Sequence, residues 1–327
     1  MIGKRIKWLD TSRGLAFLMV IYYHLSTRSV GGIVPYFSPI FLTTFFFVSG
    51  YLTKSGIPFK KVFEQRTRTL LFPLVFFGFG GGGIVVSLKD IEIHGIIALL
   101  EPLKGVFYQY GEHQTLWFIA SLYVYSLVFH FVDVLSKSPK RLLAYSFLLI
   151  VLNQILIYVL ECPMLPWKMN YCMWACAIMG IGKVYRSYEK EIDLKIMRWY
   201  IVLGFLILYF GLLWLTKDSI VFWGCANWAN AILIPFSGLV CMLYVSKRII
   251  VNNKVLLYVG SNTLVYFALH RQVLHVVESL FEKLPVVASV WINLLEVLLI
   301  ALLLAIPAIL INKFIPQVTG KGWKLWR

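Results

Sequence analysis

Val297-Leu298-Leu299-Ile300-Ala301-Leu302-Leu303-Leu304-Ala305-Ile306 is a stretch without one charged or hydrogen-bonding side chain. It lies inside a longer apolar run, 288–312, whose single ionisable side chain is Glu296. At 1.5 Å per residue a helix of that length crosses the roughly 30 Å hydrocarbon core of a bilayer. Working outward, nine more runs of this kind occur near 12–29, 38–53, 69–88, 115–134, 142–160, 171–186, 199–216, 228–246 and 261–281. The chain as a whole is 60% hydrophobic and 14% charged, where a soluble domain carries about 25% charged residues. The pattern predicts an all-α integral membrane protein with about ten transmembrane helices. It reads as a single domain over 1–327, with no appended soluble module.

The net charge of +16 would suit a nucleic-acid binder if it lay on one face. Its distribution points elsewhere. With the N-terminus inside, the inner segments hold 23 of the 31 lysines and arginines and the outer segments hold 6. Arg13 and Arg271 fall within spans. Every inner loop is more basic than every outer loop, which is the positive-inside pattern. It predicts cytoplasmic termini, a lipid bilayer as the partner of the basic surface, and no nucleic acid. No cleavable signal peptide is evident, because Arg13 and His24 interrupt the first apolar run.

The five cysteines show no metal-ligand spacing. Cys172 and Cys176 share a helix face and read as buried packing, and Cys162 and Cys225 both fall on the outer side, where a disulfide is open to them. Gly78-Phe79-Gly80-Gly81-Gly82-Gly83, inside the third run, permits close helix contact or a bend. Trp214, Trp223 and Trp228 read as an interfacial belt.

Ionisable groups inside a span are costly and mark function by default. Arg13 and His24 are eleven residues apart, three helical turns plus about 20°, so they share one stripe roughly 16 Å long. Asp10, three residues before Arg13, can pair with it. Taken alone, these residues also fit a helix cap, a snorkelling arginine and an interfacial histidine.

Further segments narrow the reading. Arg5-Ile6-Lys7-Trp8-Leu9-Asp10-Thr11-Ser12-Arg13-Gly14 leads to His24. Phe45-Phe46-Phe47-Val48-Ser49-Gly50-Tyr51-Leu52 ends the second run, and a basic loop with Lys60, Lys61, Arg66 and Arg68 precedes Pro73. Leu116-Trp117-Phe118-Ile119 opens the fourth run, and Gly260-Ser261-Asn262-Thr263-Leu264-Val265-Tyr266-Phe267-Ala268-Leu269-His270 opens the ninth. Together these resemble the acyltransferase family 3 membrane proteins, in particular the branch related to bacterial sugar O-acetylases. The family signature, a basic residue and a histidine with ten residues between them on the first helix, is matched by Arg13 and His24. The basic loop departs from the family pattern: the family's arginine pair sits closer to its proline than Arg68 does to Pro73.

The resemblance implies a ten-helix enzyme of the bacterial cytoplasmic membrane. It would move an acyl group, by default acetyl, from cytoplasmic acyl-coenzyme A to a hydroxyl of a cell-surface glycan or lipid-linked sugar. Acyl-coenzyme A is then a co-substrate, with no permanently bound cofactor and no metal. His24 is expected as general base, or as carrier of an acyl-histidine intermediate, and Arg13 as the residue that positions the donor. Arg66, Arg68, Lys60 and Lys61 are expected on the coenzyme phosphates. Ser49, Trp117, His270, Glu278 and Glu296 are expected around the substrates, with Glu278 or Glu296 as a carboxylate orienting His24. Arg271, His275 and Glu278 share a helix face and could line the acceptor pocket. The competing reading is an exporter of polysaccharide or lipid-linked sugar. Such transporters often carry internal repeats with paired broken helices, and no such repeat is found.

Overall fold

The structure, a computed structural model, describes residues 5–26, 38–80, 116–215, 220–221, 224–225, 228–281 and 290–321. Among these the chain forms α1 (Lys7–Ser26), α2 (Ser38–Leu52), α3 (Phe59–Arg66), α4 (Phe72–Gly80), α5 (Trp117–Ser136), α6 (Pro139–Gln154) and α7 (Cys172–Ser187). It continues with α8 (Glu189–Ile196), α9 (Trp199–Leu215), a two-residue-per-strand antiparallel pair (Ile220–Val221 with Gly224–Cys225), α10 (Trp228–Tyr244), α11 (Lys254–Ser261), α12 (Thr263–Phe281) and α13 (Val290–Phe314).

Each of the ten apolar runs overlaps a described helix. By length and hydropathy, four described helices can cross a membrane: Trp117–Ser136, Pro139–Val159, Ile232–Ile249 and Val290–Phe314. The pair α8 and α9, bent by 80°, passes the same test when its two helices are taken together as one broken span. The other runs fall short for physical reasons. The α1 helix carries Lys7, Asp10 and Arg13, α12 carries Arg271 and Glu278, and α2 is only 15 residues long. The first helix begins at Lys7, five residues before the apolar run, because Trp8, Leu9 and Asp10 are buried against other helices.

The two faces of α13 show how the helices divide between core and lipid. Leu295, Leu298, Leu302, Ile306 and Ile309 form an exposed apolar stripe, while Val297, Ile300, Leu304 and Ala308 are buried on the opposite one. A stripe of exposed leucine and isoleucine that long suits hydrocarbon, not water. Local signals set the ends: Ser138 accepts from the Arg141 backbone N–H with Pro139 at the first position of α6, and Asn253 caps α11 through Leu256 N–H.

Two helix pairs meet backbone to backbone. A Cβ on Gly14 would lie 2.2 Å from the Leu256 carbonyl oxygen, and one on Gly260 would lie 1.7 Å from that of Asp10. Thus α1 crosses α11 with no side chain between them. In the same way Gly50 of α2 rests on the Met179 carbonyl at 1.9 Å, and Gly182 of α7 on that of Phe47 at 2.1 Å. With little hydrophobic drive between helices in lipid, such close van der Waals contact holds them together.

At one end of the bundle Lys247 ties four elements together. Its Nζ donates to Glu189 Oε1 (2.6 Å), Asp193 Oδ2 (2.7 Å) and the Tyr185 hydroxyl (2.7 Å), and it lies 4.6 Å from the Trp8 ring centroid. Cys172 and Cys176 are buried with their Sγ atoms 4.0 Å apart, as the packing reading expects. The outer-side disulfide is not supported: Cys162 is a free thiol, and the Cys225 side chain lies outside the described residues. Of the glycine run, Gly78–Gly80 end α4, and 81–83 lie outside the described residues, as do the loop 89–114 and the side chains of Trp223 and Trp228.

Candidate active site

The site begins with α1. It packs on α2, α11, α12 and α13, so the stripe from Arg13 to His24 faces protein rather than lipid. At the Arg13 end a cavity of about 330 Å³ opens between α1, α2, α5, α12 and the segment joining α3 to α4. Part of its lining is polar, with Arg13, Gln65, Arg66, Thr69, Ser261 and Thr319, and part is apolar, with Phe45, Val48, Phe118, Ile119, Leu264 and Phe267. That size and that division of polarity are typical of a small-molecule site.

The joining segment has a cause in sequence. Pro73 has no N–H, so the carbonyl of Thr69 loses its α-helical donor. The chain widens into one π turn over Thr67–Leu71, as helices do when one hydrogen-bond register is lost. The turn brings Arg66, Thr69 and Leu70 together on the cavity wall. Crowding by protein lowers the Arg66 guanidinium from its ordinary value, which favours an anion arriving beside it. The C-terminal turn Pro316–Thr319 adds Thr319 to the polar lining: Gly320, at φ +74°, packs on Thr69.

Arg13 is held by an ion pair with Asp10, which also receives Arg5. Its Nε is buried with no partner among the described residues, and so is Ser49 Oγ on the same cavity. Buried polar atoms of native proteins are nearly always satisfied, so these two atoms are free to bond to whatever fills the cavity.

Three turns along α1, His24 meets His270 of α12, ring centroids 5.2 Å apart. The His270 ring is buried, and its Nδ1 lies 2.9 Å from the Phe267 carbonyl. Donation from Nδ1–H to that carbonyl leaves Nε2 as an acceptor, and Nε2 has no partner among the described residues. The pair has the chemistry of a proton acceptor held in an apolar wall.

The structure therefore brings Arg13, Ser49 and Arg66 to one cavity, and His24 together with His270 outside its lining, three turns along α1. Other expected residues stand apart. Lys60 and Lys61 are exposed on α3, and neither they nor Arg68 line the cavity. Trp117 opens α5 beneath the Lys168 ammonium, 4.3 Å from its ring centroid, and touches Phe118. Glu278 is buried two turns beyond His270 on α12 and lies 3.8 Å from His275. Glu296 is buried on α13. Among the described ring contacts, His24 meets His270 and Tyr23.

Sequence reasoning missed Gln65, Thr69, Thr319 and the phenylalanines. The proline after a basic loop signals the π turn, but a phenylalanine on a cavity reads the same as one in a core. A second cavity of about 340 Å³, lined by Asp133, Lys183 and the α5–α6 turn with Lys137, includes neither histidine, and Asp133 and Lys183 are paired with each other.

A family model described as an acyltransferase domain matches residues 6–313, nearly the whole chain. No curated protein and no solved structure matches it.

Proposed function

The chain belongs to that acyltransferase family, and from this premise we propose that it is an O-acyltransferase of the bacterial cytoplasmic membrane. It has ten spans and cytoplasmic termini, and takes its acyl group, acetyl by default, from cytoplasmic acyl-coenzyme A. The acceptor is a hydroxyl of a cell-surface glycan or lipid-linked sugar. The observation that carries this reading is the cavity walled by Arg13 and Arg66 at one end of the α1 stripe, with the His24–His270 pair at the other.

The coenzyme phosphates dock at Arg66 and Arg13 through charge-assisted hydrogen bonds, with Arg68, Lys60 and Lys61 adding field rather than contact. The pantetheine arm lies along the stripe past Ser49, and the roughly 16 Å from Arg13 to His24 matches an arm of that kind. His24 takes the proton of the acceptor hydroxyl as the oxygen attacks the thioester carbon. The carbon–sulfur bond breaks, and the proton passes to the departing coenzyme thiolate. His270 completes the wall beside His24. Trp117, Glu278 and Glu296 belong to the acceptor side.

Two measurements test the reading. Purified protein should bind acetyl-coenzyme A in calorimetry, and surface glycans from cells with the protein should carry an acetyl mass increment that cells without it lack. No binding and identical glycan masses would overturn it.

A further inference from the structure

We propose that Phe45, Phe118 and Phe267 form a ring gate between the donor cavity and the histidine pair, and that this gate selects small, unbranched, uncharged acyl groups. The inference rests on the donor reading above. All three rings line the cavity. They come from three helices, α2, α5 and α12, and touch each other pairwise. The centroids of Phe118 and Phe267 are 4.9 Å apart and stacked, those of Phe45 and Phe267 are 5.1 Å apart, and those of Phe45 and Phe118 are 5.4 Å apart.

The order of residues along each helix places this layer between the two ends. On α1, Arg13 lines the cavity, Phe17 follows one turn on, and His24 comes last. On α12, Thr263 and Leu264 line the cavity, then Phe267, then His270. Running the other way, α2 offers Leu52, Ser49 and Val48 before Phe45, and α5 offers Leu122 and Ile119 before Phe118. Beyond the layer, Phe267 packs on Phe17 at 4.9 Å and on His270 at 6.2 Å. Neither histidine lines the cavity. Centroids near 5 Å apart are in van der Waals contact, so among the described residues the three rings close on one another on the side of the cavity that faces His270.

A thioester entering from the Arg13 side must part the rings with its acyl group leading. A methyl group needs little more room than the arm behind it. A branched chain needs a wider opening than the arm ever does. A succinyl carboxylate would cross an apolar layer where the three rings give it no hydrogen-bond donor, and an unpaired charge there is costly. The same contact keeps water from the histidines until an arm is in place.

The test compares kcat/KM for acetyl-, isovaleryl- and succinyl-coenzyme A in the wild type, Phe118→Ala and the milder Phe118→Leu. The wild type should prefer acetyl over both others. The acetyl-to-isovaleryl ratio should fall about tenfold or more in Phe118→Ala and less in Phe118→Leu, in line with the selectivity one hydrophobic contact supplies. A second readout needs no acyl transfer: modification of His270 by diethyl pyrocarbonate, followed by peptide mass spectrometry, should be slow in the wild type and faster in either variant. If no thioester is a donor but this protection is seen and lost as expected, the donor reading fails and the seal stands. An unchanged acyl ratio, a wild type that uses succinyl as well as acetyl, or equal modification rates would overturn the gate.

Discussion

Replacing Gly50 by alanine tests the packing that shapes the site. The new Cβ would sit 1.9 Å from the Met179 carbonyl oxygen and 2.5 Å from its Cα. Both atoms are backbone, so no rotamer change relieves the clash, and α2 and α7 must separate by on the order of 1 Å. Gly182, whose added Cβ would meet the Phe47 carbonyl, holds the same crossing, so the shift passes along the whole contact. Overpacking of this kind costs about 1–3 kcal/mol. Gly204 and Gly211 on α9 are the internal control, since nothing lies within 4 Å of a Cβ at either. There alanine should be neutral or stabilise by up to about 1 kcal/mol through helix propensity. The assay is denaturant unfolding in detergent, followed by tryptophan emission, for Gly50→Ala, Gly204→Ala and the wild type. Gly50→Ala as stable as the wild type would refute the backbone contact, and so would Gly204→Ala losing as much as Gly50→Ala.

Three further outcomes are expected. Lys168 lies outside the spans, and burial lowers its pKa to about 8; the folded state then binds fewer protons than the unfolded state between about pH 8 and the ordinary lysine range, so stability rises with pH across that window. Because the ammonium lies over Trp117, the difference in tryptophan emission between wild type and Lys168→Met should titrate near pH 8, and a flat difference up to pH 10 would refute it. Arg66→Glu should raise KM for acetyl-coenzyme A about tenfold or more, since a hydrogen bond to a charged group contributes about 1.5–3 kcal/mol, while Lys60→Glu on the exposed face of α3 should change KM far less; equal effects would return the loop to a purely topological role. An impermeant maleimide applied to whole cells should label the free thiol Cys162 and miss a cysteine placed at Lys61, and the reverse would invert the proposed orientation.

Much of this was legible in the chain because apolar runs and glycines report local physics. The run 288–312 became α13 almost residue for residue. The Arg13–His24 spacing set both side chains on a protein-facing stripe because eleven residues nearly complete three turns. Ser49 and His270 were legible through the segments around them. What the sequence hid depends on contacts between distant segments. Phe45, Phe118 and Phe267 each sit in a segment that reads as apolar core, and only their convergence makes a layer. Thr319 lies 250 residues from Thr69, yet the C-terminal turn places both on one cavity. Lys60 and Lys61 look like Arg66 in composition, but α3 turns them outward and leaves Arg66 at the π turn.

The central claim is that His24 performs the chemistry beyond the ring layer of a cavity that binds the donor. The direct measurement is single-turnover transfer of a labelled acetyl group from acetyl-coenzyme A to acceptor by purified wild type and His24→Ala. The variant should still bind acetyl-coenzyme A, because the Arg13 and Arg66 wall is untouched. Its transfer rate should fall on the order of a hundred- to ten-thousand-fold, the usual loss on removing a general base. Transfer by a folded His24→Ala protein at a rate near that of the wild type would contradict the account.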